Sequence, residues 1–343
     1  MGIKSFSQLI KKRCSEDASK EIDASFFEGK RIAIDMNQQI YVLMYVASKD
    51  LQGKDYTTED LEKSTMKRIL SRIVDLVNFN VTPVCVFDGN ADDAKNREIE
   101  KRRQRKEKLS KRIKDARDSN DSSTLEKLSK YDFKITREFI QRVINTIRSM
   151  GIPVFDLKEE DYGISEAEGF CASLCLSGND YCEAAITTDS DFHVYGGDMA
   201  ITKMKTVSIM TLNGLESRIV FTVRSLDKIM NDLQLDFSEF IDLCILMGTD
   251  YNDNIKGIGP VKAYDIIKEC RNLEAVEGLN DPRIDMADID YRNIRDIYNK
   301  SITELEILPT RLDIDCETLV SAGVEILSEY GLDQYSHKVR LMV

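Results

Sequence analysis

Histidine occurs twice in the 343 residues, and the eight cysteines include no C-x-x-C pair. With only His193 and His337 to help the thiols, a structural zinc site is not expected, and plain intracellular cysteines are. No apolar run approaches the ~18 residues of a membrane helix; the best is IDLCILMG at Ile241–Gly248. The opening MGIKSF lacks the apolar stretch of a signal peptide, and Phe6 stands where a myristoylation pattern needs Ser or Thr. There is no extended Pro- or Gly-rich tract, no internal repeat and no low-complexity segment, so disorder is not the default. What remains is a soluble intracellular chain. At 42% hydrophobic it can bury a sizeable core, as one large domain or a domain plus appendage.

A net charge of −12 argues at first against nucleic acid, but its distribution matters more. Between Lys95 and Lys114 stand eleven Lys or Arg and three Glu, so this stretch carries +8 and the rest about −20. A chain this polarised can present a basic surface to phosphates and keep carboxylates elsewhere for cations. The pairs Glu98–Arg102 and Glu107–Lys111 fit an ordinary solvated helix face. However, Lys101, Arg102, Arg103, Arg105 and Lys106 surround the helix rather than stripe it, which favours phosphate contact.

The apolar runs KRIAID (Lys30–Asp35), PVCVFDG (Pro83–Gly89), IPVFD (Ile152–Asp156) and AAITTD (Ala184–Asp189) predict buried strands. Short antiparallel strands are predicted near Met199–Lys203 and Val207–Thr211. Helices are predicted over about Gln38–Ala47 and Leu61–Phe79. Between the second and third strands lie a basic helix, roughly Asp92–Arg117, the polar break DSNDSS, and an amphipathic segment running to Met150. Beyond Arg224 the pattern is helical almost to the end. Strands alternating with helices imply an α/β domain with a mainly parallel central sheet flanked by helices.

Three of these strands end in an aspartate: Asp35, Asp88 and Asp189. Ligands of open α/β sheets bind beyond the carboxyl ends of the strands. Three acids gathered there repel one another unless a cation joins them. Oxygen-only ligands point to Mg²⁺ or Mn²⁺. The local alternatives are structural. Aspartate often closes a turn. Ser165–Glu168 reads as a capping box, which leaves Glu166 and Glu168 open. Asp189 and Asp191 flank a turn and could be solvated, and Asp250 could be an N-cap or Asx turn in TDYND. GIGP (Gly257–Pro260) suits either a tight helix–helix turn or a backbone approach to phosphate.

The motifs occur together and in order: MGI, IAID followed by Ile40 and Tyr41, VFDG, GIP then SEAE, TTDSD, and DLCILMGTDYNDNIKGIGP. In this set the chain resembles the flap endonucleases, XPG-type structure-specific 5′ nucleases, from the N-terminus through the helix after GIGP. The resemblance implies a PIN-like nuclease core over 1–223 with a helical arch at about 90–150. It implies a helical DNA-binding subdomain over 224–343 with a helix-two-turn-helix. Asp35, Asp88, Glu166 and Glu168 then match one metal's ligands. Asp189, Asp191 and Asp250 match the other's, with Glu168 shared. Lys95 and Arg102 match the catalytic cations at the scissile phosphate. DNA-contacting positions are Gly2, Tyr41, Arg72, Glu166, Gly248, Asp250, Gly257 and Gly259, with Tyr41 stacking on a base. A potassium ion would join GIGP to the duplex.

The resemblance further implies two-Mg²⁺ hydrolysis, with Mn²⁺ able to substitute, of 5′ flaps and related branched DNA in replication and repair. It implies a monomer, with a sliding clamp as a further partner, working where DNA is replicated: in the nucleus, or the host nucleus for a viral chain, with the cytoplasm as the alternative. A 5′–3′ exonuclease or a junction resolvase is the alternative within the family. A non-catalytic DNA-binding scaffold would gain by losing acids that repel DNA. A haloacid-dehalogenase-type phosphatase needs D-x-D, whereas Asp35 is followed by Met36 and Asn37. Two departures stand out. Ser48 replaces a DNA-contacting arginine, and QYSHKVRLMV at the C-terminus holds no sliding-clamp box with paired aromatics.

Overall fold

The computed structural model describes residues 2–90, 95–159, 162–176, 181–211, 214–279, 281–300 and 316–336. After α1 (Phe6–Arg13) comes β1 (Ser19–Asp23), then β2 (Arg31–Asp35), α2 (Met36–Leu51) and α3 (Thr58–Asn78). β3 (Thr82–Phe87) leads towards α4 (Asn96–Asp118), α5 (Ser122–Leu128) and α6 (Arg137–Ser149). β4 (Val154–Asp156), α7 (Ala167–Leu174), β5 (Ala184–Ile186), α8 (Asp191–Val194), β6 (Met199–Thr211) and β7 (Gly214–Ser225) follow. The remaining described elements are helical: α9 (Leu226–Leu233), α10 (Phe237–Met247), α11 (Pro260–Cys270), α12 (Leu273–Gly278), α13 (Tyr291–Lys300) and α14 (Cys316–Glu329).

The seven strands form one mixed sheet in the order β1-β7-β6-β5-β2-β3-β4. From β6 to β4 every pairing is parallel, while β6–β7 and β7–β1 are antiparallel. This is the mainly parallel α/β sheet that the alternating pattern implied. The central strands read as continuous apolar runs because both faces are covered. Ala33, Val84, Val86 and Ala185 pack on one side with α1, α7 and α10. Ile32, Ile34, Cys85, Phe87 and Ile186 pack on the other with α2, α3 and α6.

Two expectations need correction, and two strands, β7 and β1, were not expected. The two short strands after residue 199 are one strand, β6, with a register shift between Ile201 and Lys203. It pairs with β7, which runs through sequence to which no element was assigned. The segment after DSNDSS is not one helix to Met150. It splits into α5, a 3-10 turn at Ser129–Tyr131, and α6. The edge strand β1 carried no apolar signal at all, since SKEID joins the sheet through its backbone and buries no side chain fully.

Candidate nuclease site

Parallel pairing decides where the acids go. Ile34 of β2 aligns with Cys85 of β3 and with Ile186 of β5. The strands therefore end together, and Asp35, Asp88 and Asp189 leave the same edge of the sheet. Asp35 also serves locally: one oxygen caps α2 by accepting from the Gln38 amide at 3.1 Å, and the other accepts from the Thr187 hydroxyl at 3.3 Å. Asp88 accepts from the Ala167 amide at 3.0 Å, which brings the start of α7 to the end of β3.

Glu166 and Glu168 are thereby delivered to the cluster. The capping box that Ser165–Glu168 left open does not form: Glu166 is the N-cap residue of α7, and no side chain caps it. Lys95 draws both glutamates instead. Its ammonium lies 2.6 Å from Glu166, 3.4 Å from Glu168 and 3.9 Å from Asp250. Asp250 is no cap either. In its turn Thr249 accepts from the Tyr251 amide, and Asn252 accepts from Thr249, which frees Asp250 to take Arg102 at 2.6 Å. Asp189 and Asp191 are not solvated. Both are buried, and the two carboxylate oxygens of Asp191 have no hydrogen-bond partner.

Burial and crowding shape the charges. Burial, followed by Glu168, pushes Asp88 and Asp189 up to about 6. The same two causes raise Glu166 to about 7. Burial and the Asp88 charge hold Asp35 well above the usual carboxylate range, and burial and Asp189 do the same to Asp191. Burial alone would depress the Lys95 ammonium, but Glu168 and Glu166 carry it well above the usual lysine range. Glu168 thus acts on Asp35, Asp88, Glu166, Asp189 and Asp191 alike, as a carboxylate at the centre of the group would.

Whether cations fit is a matter of donor chemistry. The donor set is all oxygen, as hard divalent ions prefer. A carboxylate with two buried, unpartnered oxygens is costly unless a cation completes it. No trio of His, Cys, Asp or Glu among the described residues already stands in ion-binding geometry. Three of the acids are instead turned onto Lys95. The acids suit a hard divalent cation provided Lys95 yields room.

The other expected positions are placed as follows. Gly2 sits against the acids at φ +75°, and a Cβ there would stand 2.2 Å from an Asp189 oxygen. The following amide, Ile3, donates to Ser190 at 2.8 Å. Gly248 ends α10 at φ +94°, where a Cβ would come 2.7 Å from the Asn254 amide. Tyr41 is exposed on α2 with its ring 5.4 Å from Phe133. Arg72 is half-buried on α3 and donates to Gln39. Ser48 is buried, with its hydroxyl 3.4 Å from that of Tyr56. Gly257 and Gly259 have open space about them, and Pro260 opens α11. In α4 every residue from Arg102 to Lys108 is exposed, so this part of the helix is solvated all round. The start expected at Asp92 and the end of QYSHKVRLMV lie outside the described residues.

Sequence reasoning missed two residues of this site. Tyr195 donates to Glu166 at 2.8 Å, and the Tyr251 hydroxyl lies 3.3 Å from the same oxygen. The signal available was position: Tyr195 follows Asp191 by four residues, one helical turn, and Tyr251 adjoins Asp250.

The XPG N-terminal domain matches residues 1–109, and the XPG I-region matches residues 163–250. The chain is 30% identical to a flap endonuclease 1 of Zea mays over 90% of its length and 77% of that protein's. It is 33% identical to the flap endonuclease 1 of Encephalitozoon cuniculi over 80% of its length and 74% of that protein's. Among solved structures, flap endonuclease-1 from Methanococcus jannaschii superposes with a TM-score of 0.62 at 21% identity, covering 97% of this chain and 98% of that one. The catalytic core of Rad2 in complex with DNA substrate gives 0.59 at 21%, covering 96% and 100%. At these identities the two structures speak for the fold.

Proposed function

Because the chain belongs to the flap endonuclease family of XPG-type nucleases, we propose that its seven clustered carboxylates hold two divalent cations, Mg²⁺ or Mn²⁺, for cleavage of 5′ flaps. The chain is a structure-specific DNA endonuclease of replication and repair, and we place its work in the nucleus. The observation that carries the reading is the pairing of charges. A cluster of acids with buried, unpartnered oxygens stands directly beneath two cations, Lys95 and Arg102, from the base of the arch. A DNA-binding scaffold would not require this costly arrangement.

Asp35, Asp88, Glu166 and Glu168 would hold one cation and Asp189, Asp191 and Asp250 the other, with Glu168 between them. When bound, the cations would polarise the scissile phosphate and its attacking water, yielding a 5′-phosphate and a 3′-hydroxyl. Lys95 and Arg102 now neutralise the acids. Once cations take over that task, both can turn to the phosphate and offset its growing negative charge. Tyr41, exposed at the rim, offers a ring on which a base can stack. The open backbone at Gly257 and Gly259, with a potassium ion, would take duplex phosphates and anchor the helical part over 224–343. A monomer suffices, since all seven acids come from one chain.

The test is cleavage of end-labelled flap, nick, bubble and four-way DNA, each with Mg²⁺ and with EDTA. Flap cutting that needs Mg²⁺ is expected. Preferential symmetric cutting of the four-way junction would move the chain to the resolvases, and cutting in EDTA would end the cation reading.

A further inference from the structure

Glu166 is gripped at both oxygens. Oε1 lies 2.6 Å from the Lys95 ammonium. Oε2 accepts from the Tyr195 hydroxyl at 2.8 Å and from that of Tyr251 at 3.3 Å. The two hydroxyls are themselves 3.0 Å apart. A tyrosine has one hydroxyl proton. That of Tyr195 is committed to Glu166, and that of Tyr251 is shared between the Tyr195 oxygen and Glu166.

Neither ring is free to turn away. Tyr195 is buried at the end of α8, and its ring meets Tyr298 of α13 edge-on at 5.0 Å. Tyr251 meets the same ring at 5.6 Å, nearly perpendicular. Lys95 lies 5.1 Å from the centre of the Tyr251 ring. Tyr298 is wholly buried. Its helix is tied down by Arg295, which makes 2.7 Å bonds to both oxygens of the buried Asp242 on α10. Support therefore runs from α10 to α13, from α13 to the tyrosine pair, and from the pair to one oxygen of one glutamate.

We propose that Tyr195, seconded by Tyr251, is a positioning residue that commits Glu166 Oε2 to the protein and leaves Oε1 alone to face the cation site. This rests on reading Glu166 as a cation ligand. A carboxylate held in this way keeps its orientation without help from the ion, and partners of this kind strengthen metal binding. It also makes α13, from the helical C-terminal part, a wall of the nuclease site rather than an accessory to it.

The test is direct Mn²⁺ titration by the electron paramagnetic resonance of free Mn²⁺, on the whole chain, with metal-free melting curves. The variants are Tyr195→Phe, Tyr251→Phe and Glu166→Gln. Tyr195→Phe should bind Mn²⁺ about tenfold more weakly with its melting temperature unmoved. Its flap cleavage should keep the parent KM and recover its kcat at high Mn²⁺. If Tyr195→Phe also melts lower, Tyr251→Phe decides, since Tyr251 is only partly buried and offers the same bond. Both Phe variants binding Mn²⁺ like the parent while Glu166→Gln binds weakly would overturn the positioning role. Parent-like Mn²⁺ binding by Glu166→Gln would instead remove the ligand reading, and the proposal with it.

Discussion

The floor of the site and the helix above it, α4, pose opposite electrostatic problems and solve them differently. The floor gathers carboxylates in a buried place and fixes them with local bonds: a helix cap for Asp35, a backbone amide for Asp88, two hydroxyls for Glu166. Its repulsion is part of the folded state. The helix spreads its positive charge on an exposed surface, where each charge costs little and each ion pair is worth little. Its base is engaged, through Lys95, Arg102 and the Lys101–Asp253 pair at 2.6 Å, and its far end packs by Ile113, Ala116 and the Arg117–Asp132 pair at 3.3 Å, while the stretch between stays solvated. The difference is between charge that is preorganised and charge that waits for a partner.

Neutralising the floor breaks the comparison most severely. Asp191→Asn should lower flap cleavage by about a thousandfold or more, as loss of a cation ligand would. The same change should raise the melting temperature in EDTA by about 3–6 °C, because a buried, unpartnered carboxylate becomes neutral. A variant that loses both activity and stability would mean that Asp191 is a structural acid. Next comes the boundary between the regions. Arg102→Ala should slow single-turnover cleavage by about a hundredfold while flap affinity falls only a few-fold. Equal losses would make Arg102 a simple phosphate clamp.

Protons offer a third, smaller effect. Asp88 and Asp189 near 6 and Glu166 near 7 lie above their values in an unfolded chain. The folded state binds more protons there, so this contribution is present at low pH and is lost as pH rises through 6 to 7. In EDTA, melting should fall by a few degrees between about pH 5.5 and pH 8. Mg²⁺ should then stabilise more at the higher pH. An equal Mg²⁺ shift at both would separate the cation site from these acids. The smallest effect belongs to the exposed helix. Lys106→Gln with Lys108→Gln should weaken flap binding about two- to threefold and lessen the salt slope by about two. An unchanged slope would leave those lysines to solvent.

The two regions were also unequally legible. Asp35, Asp88 and Asp189 could be read because apolar runs announce buried parallel strands, and strand ends announce sites. Glu168 could not, since Ser165–Glu168 has the form of a capping box and only the distant Lys95 decides against it. The extent of β6 was hidden because its side chains over 202–208 are exposed or only partly covered. A strand held by its hairpin partner needs no apolar face. The break before α6 was hidden for a similar reason: Tyr131 turns out of the helical pattern to stack on Tyr45, 5.0 Å away. The tyrosine pair on Glu166 lay beyond sequence reasoning, because a hydroxyl's partner is set by tertiary approach.

The strand order carries a consequence for synthesis. β2 lies between β3, close behind it in the chain, and β5, which emerges some 150 residues later. A growing chain thus displays Asp35 and Asp88 long before their neighbours exist, and contacts so distant in sequence close slowly. The first residues wait as well, since Ile3 binds Ser190 and Lys4 binds Gly248, each far along the chain. The nascent protein cannot assemble its cutting centre piecemeal. Only when the segment holding Asp250 has emerged can the N-terminal residues lock against it beside the acids, so the cluster closes late in synthesis.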